Sequence, residues 1–96
     1  MALVGCAGVE VGRDFDLKTF EARVKHKETT RAEVNTWLGS PSSTGTVVNA
    51  NGERYEKWNY YYGTGSAWGK EPARVKLLEV QFDSNGRVIS YNWAGD

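Results

Sequence analysis

Residues 30–41 read as a short helix with both of its ends specified. Thr30-Arg31-Ala32-Glu33 has the capping-box form: the Thr hydroxyl accepts the Glu33 amide, and the Glu carboxylate reaches back to the Thr amide. Val34, Trp37 and Leu38 follow at i, i+3 and i+4, one apolar stripe. Gly39 can adopt the left-handed conformation that closes a helix, and Pro41 prevents its continuation. The spacing predicts a helix over 30–38, about two turns long. A helix that short does not persist alone in water and must lay its stripe on a second layer.

The rest of the chain supplies that layer. From residue 46 the pattern turns strand-like, and Asn49-Ala50-Asn51-Gly52 is a turn. Residues 54–62, Arg-Tyr-Glu-Lys-Trp-Asn-Tyr-Tyr-Tyr, are aromatic and alternating, as strands are. Residues 63–72 are Gly-rich and read as a flexible loop. Strands are predicted again over 74–82 and 87–93, joined by an Asp83-Ser84-Asn85-Gly86 hairpin. An earlier helix is predicted from about Asp16 to Val24, capped by Asp14 or Asp16, with Leu17, Phe20 and Val24 on one stripe. Residues 1–13 lack periodicity and read as a tether, leaving residues 14–96 as one domain. The expected fold is α+β, with two N-terminal helices on one face of a three-stranded antiparallel sheet. Its expected core is Leu17, Phe20, Val34, Trp37, Leu38, Trp58, Tyr60, Leu78, Val80 and Phe82.

Two short helices cover only one face of a sheet. With Trp58, Tyr60 and Tyr62 inward, Tyr55, Lys57, Asn59 and Tyr61 point out; with Leu78, Val80 and Phe82 inward, Leu77 points out. The last strand depends on its hairpin. A loop of two or four residues buries Ile89, Tyr91 and Trp93, the reading preferred here. A loop of three with Gly86 left-handed pairs Phe82 with Val88 and turns those three outward.

Charge and motif content narrow the function. The formal net charge is zero, without the basic excess of a nucleic-acid binder. Arg23, Lys25, His26, Lys27 and Arg31 lie close together. They read first as a solvated helix end and turn, and second as a patch for anionic lipid headgroups. The single His and single Cys, at 26 and 6, give no metal-ligand spacing. Residues 65–71 resemble a phosphate loop but fail its spacing. They also run into Pro72 and a strand, with no helix N-terminus to receive phosphate. Residues 83–86 resemble the start of a calcium loop without its closing Glu. A non-enzymatic protein with no catalytic residue, no metal and no cofactor is expected.

The N-terminal segment Leu3-Val4-Gly5-Cys6 resembles a bacterial lipobox, whose Cys becomes the acylated N-terminus. Only five residues precede Cys6, fewer than the apolar run of a secretory signal. Either the signal is cut short here, or Cys6 is a chance cysteine in a small apolar segment.

Residues 27–34, Lys-Glu-Thr-Thr-Arg-Ala-Glu-Val, and residues 37–41, Trp-Leu-Gly-Ser-Pro, are similar to the SmpA/OmlA (BamE-like) family of small outer-membrane lipoproteins. Trp58-Asn59-Tyr60, Val80-Gln81-Phe82-Asp83 and Gly86-Arg87-Val88 follow in the family's order, so the resemblance spans about residues 15–93. His26-Lys27, where members often carry Gly, and the Gly-rich loop around Trp68 depart from it.

The resemblance implies two helices against a three-stranded sheet, a fold shared with β-lactamase inhibitor protein domains. It implies a protein-binding module that supports outer-membrane assembly or integrity. Such a module would be lipid-anchored through Cys6 on the periplasmic face, with an envelope protein as partner. Ala7, where an Asp would retain a lipoprotein at the inner membrane, favours the outer membrane. Tyr55, Tyr61 and Leu77 on the open face, with Trp68 in the loop, are the expected contacts. The alternative is an inhibitor that uses the same face to plug a periplasmic or secreted enzyme.

Overall fold

The computed structural model describes residues 8–66 and 74–95. Strand β1 (Gly8–Gly12) leads into helix α1 (Leu17–Arg23) and helix α2 (Arg31–Leu38). Strands β2 (Ser43–Val48), β3 (Arg54–Ser66), β4 (Arg74–Phe82) and β5 (Val88–Gly95) follow. All strand pairs are antiparallel.

The sheet has five strands, not three. Across its width the order is β1-β3-β4-β5, and β2 also pairs with β3. β3 is 13 residues long and shares one edge between two partners. β2 takes its first half, with Val48 opposite Arg54 and Ser43 opposite Asn59. β1 takes its second half, with Gly12 opposite Tyr62 and Gly8 opposite Ser66. The sheet is therefore four strands wide. The periodicity missed β1 because Gly8–Gly12 is bracketed by glycines. It saw β2 only as a strand-like pattern from residue 46 and counted no strand there, because Ser-Thr-Gly-Thr-Val-Val has a mixed, mostly exposed pattern with no apolar alternation. Backbone pairing with a long neighbour places both in the sheet.

The two helices form where the caps place them. Asp16 accepts the Thr19 amide at 3.0 Å and its hydroxyl at 2.6 Å, starting α1. Thr30 accepts the Glu33 amide at 3.2 Å, and Glu33 accepts the Thr30 amide at 3.0 Å, completing the capping box of α2. Gly39, at φ 81°, ends that helix. Both helices lie on the face of Tyr60, Leu78, Val80 and Phe82. Phe15, Leu17, Phe20, Val34, Leu38 and Val88 complete the buried cluster. Trp37 and Trp58, expected in the core, are half-buried and pack against it. The Trp58 ring meets Phe82 edge-on at 4.8 Å, and its Nε1 donates to Glu56 at 3.1 Å.

The last hairpin joins features of both registers considered above. Asp83 accepts the Gly86 amide and donates its own amide to Arg87, and Gly86 stands at φ 78°. This is the three-residue loop with a left-handed glycine, and Phe82 does pair with Val88. A β-bulge follows: Gln81 pairs with Ser90, so Ile89 is the extra residue. The bulge resets the alternation and puts Tyr91 opposite Val80 and Trp93 opposite Leu78. Tyr91 and Trp93 thus share the helix side of the sheet. Tyr91 meets Phe20 of α1 edge-on at 5.2 Å, yet both rings lie at the margin of the helices' cover, 37% and 45% exposed, where burial was expected. Ile89 is half-buried.

The link between the helices closes part of the outer edge of β5. The Val88 amide donates to Thr29 at 2.8 Å, the Lys27 amide to Val88 at 2.7 Å and the Arg31 amide to Gly86 at 3.0 Å. Thr29 is buried, and its hydroxyl accepts the Lys25 amide.

Candidate functional site

The side of the sheet away from the helices is the candidate surface. Its composition changes along the strands. At one end Tyr61 pairs with Leu77, and Leu77 pairs with Ala94 on the far side. Tyr61, Leu77 and Val75 are 40%, 46% and 51% exposed, an apolar group on the middle of the sheet. The next rung is Asn59, Glu79 and Asn92, and the one after is Lys57, Gln81 and Ser90. These polar rungs are internally bonded: Asn59 donates to the Ser43 hydroxyl at 3.1 Å, and Gln81 donates to Glu79 at 3.2 Å. The face is thus an apolar end bordered by a hydrogen-bonded polar strip.

Of the four expected contact residues, Tyr61 and Leu77 are brought together as a cross-strand pair. Tyr55 shares their face but lies six residues down β3, about 20 Å away along a strand. It is half-buried and committed to the turn before it: its hydroxyl donates to Glu53 at 2.9 Å and accepts from Asn49 at 3.3 Å. The Glu53 carboxylate raises the Tyr55 phenol above its ordinary pKa. Hydrogen bonds from Asn49 and Tyr55 lower the Glu53 carboxyl in turn. Trp68 and Cys6 lie outside the described residues. Val75 and Ala94 extend the apolar end without having been expected there. Alternation alone marks Val75 as a companion of Leu77, but Ala94 joins the face only through the bulge.

The basic residues do not act as one patch. Arg23, Lys25, His26 and Lys27 are exposed. Arg31 is drawn away to pair with Glu56, with its guanidinium 5.9 Å from the centre of the Phe82 ring.

The shifted titrations trace to structural contacts. Lys76, bonded to Asp14, lowers that carboxyl; Lys76 also donates to the Phe15 carbonyl at 2.8 Å. The Thr19 hydroxyl and amide lower Asp16, and the Arg87 amide lowers Asp83. Burial pushes the Tyr60 phenol up to about 12. Among the described residues no group of three His, Cys, Asp or Glu side chains could hold a metal ion. Among the described residues no helix is long and apolar enough to cross a membrane.

Comparison of the chain with known family models, with curated proteins and with solved structures finds no match.

Proposed function

We propose that this chain is a non-enzymatic, lipid-anchored envelope protein of the SmpA/OmlA kind, a binding module that supports outer-membrane assembly or integrity. The carrying observation is the exposed Tyr61–Leu77 pair on the helix-free face of the sheet, flanked by Val75 and Ala94. An apolar centre with an aromatic anchor and a polar rim is the usual make-up of a protein contact. A rigid sheet presents it at little ordering cost. The sequence resemblance supplies the envelope setting and the role of Cys6.

The test is capture from an envelope extract by the immobilised protein. Membrane-assembly proteins are the expected catch. A Tyr61→Ala/Leu77→Ala double variant should reduce that capture about tenfold, a loss of ~1.4 kcal/mol, with its unfolding midpoint close to that of the parent. Undiminished capture would remove this face from consideration. A soluble hydrolase as the captured protein would replace the assembly role with inhibition.

A further inference from the structure

The two edges of the sheet are built differently. On one side β1 and β2 meet β3 end to end, so that edge is broken into pieces of five and six residues. Short, interrupted edge strands are a common protection against unwanted pairing. On the other side β5 runs unbroken from Val88 to Gly95. Among the described residues, Thr29 and Lys27 bond its first residue alone. Among the described residues nothing pairs with the outer edge beyond Val88. The strand reads Val-Ile-Ser-Tyr-Asn-Trp-Ala-Gly, with no charge and no proline to blunt it. An open row of amides and carbonyls accepts one kind of occupant, another strand.

The sequence of β5 favours its own copy as that strand. Val88 turns its amide and carbonyl to the open side; past the bulge the alternation restarts at Ser90. Tyr91 and Trp93 therefore turn theirs outward as well. A two-fold axis through Asn92 then sets each Tyr91 opposite Trp93 of the second copy, on the helix side. These two rings already stack within one chain at 6.0 Å and 16°. The antiparallel pair would extend that stack into four rings. Asn92 would meet its own copy on the opposite face, and no like charges would oppose each other anywhere along the pair.

We propose that this protein forms a two-fold dimer by antiparallel pairing of β5 with β5, making one continuous sheet across both copies. The surface is distinct from the Tyr61–Leu77 face, so the two readings can fail independently.

Sedimentation of the full chain over a range of concentrations should show a monomer–dimer equilibrium. Asn92→Lys and Asn92→Glu each place like charges across the axis. Each should weaken the dimerisation constant about three- to tenfold, since directly opposed like charges destabilise a strand pair. An equimolar mixture of the two should restore it. In a Cys6→Ser background, Asn92→Cys should oxidise to a covalent dimer, because directly opposed residues fall within disulfide reach. A chain that stays monomeric to millimolar concentration overturns the proposal. So does a dimer insensitive to charge at 92 that fails to cross-link there. So does a one-to-one complex with an unrelated peptide along β5 and no self-association, which would make the edge a site for a different chain.

Discussion

The Tyr60 hydroxyl donates to the Gly39 carbonyl at 2.7 Å, tying the middle of the longest strand to the end of α2. The Gly39 carbonyl is among those a helix end leaves without an intrahelical partner, and a buried phenol supplies the donor. Because burial raises the phenol to about 12, Tyr60 stays neutral where an unfolded tyrosine, near 10, already ionises. The contribution is full below pH 10 and is lost as pH rises through 12. Two units correspond to roughly 2–3 kcal/mol. Unfolding midpoints measured from pH 8 to 12 should therefore fall above 10. In Tyr60→Phe that alkaline limb should shrink, and at pH 7 the variant should be about 1 kcal/mol less stable for the lost hydrogen bond.

Acid acts in the opposite sense. Asp14, Asp16, Glu53 and Asp83 all have lowered pKa values through hydrogen bonds made by their charged forms. Their stabilisation is present above the ordinary carboxylate range and disappears as pH falls through the lowered folded values. Acid titration of Asp83→Asn should show a shallower low-pH loss than the parent, because the amide has no charge to lose.

Two substitutions test the seam between α2 and the last hairpin. Thr30→Ala removes the capping box and should cost about 1 kcal/mol. Gly86→Ala forces a side chain into φ 78°, with its Cβ 2.7 Å from the Arg31 guanidinium. It should cost about 1–2 kcal/mol. Urea unfolding of each variant and of the pair measures both. The double loss should depart from additivity, because the Arg31 amide bonds the Gly86 carbonyl.

Trp37 tests how thinly the helices cover the sheet. It is half-buried and meets Phe20 edge-on at 6.5 Å. Trp37→Ala should cost about 2 kcal/mol, below the 3–5 of a fully enclosed aromatic. A denaturant midpoint equal to the parent's would show that this contact contributes nothing.

Anchoring is tested in the gene's native setting. Expressed with its own upstream sequence, the protein should partition to the membrane and yield a lipid-modified Cys6 peptide. An unmodified soluble protein, indifferent to Cys6→Ser, would reduce Cys6 to a chance cysteine.

Both helices, β4, β5 and residues 54–62 of β3 were legible because caps, stripes and aromatic alternation mark them locally; residues 63–66, read as loop, continue β3 as strand. Tyr61 and Leu77 were legible for the same reason: period-two patterning assigns a face before any partner is known. β1 and β2 were not, since what defines them is the surplus length of β3, a relation between distant segments. Ile89, Tyr91 and Trp93 were misjudged for two different reasons. A bulge that no residue type announces turns Ile89 off the helix side while Tyr91 and Trp93 stay on it, and the helices do not reach far enough to bury those two rings. Trp37 and Trp58 were overestimated: both pack against the core from its margin and stay half-buried.

The end-to-end arrangement of β1 and β2 has a mechanical consequence. A pull on the chain ahead of Gly8 loads only β1, whose five rungs on β3 can open one after another while β2 keeps its own hold. The opening stops where Arg13 donates to the Ser40 carbonyl at 3.0 Å and Phe15 enters the core. Five residues released in this way lengthen the leash by about 17 Å. The protein can thus gain reach under tension before it gives up its fold.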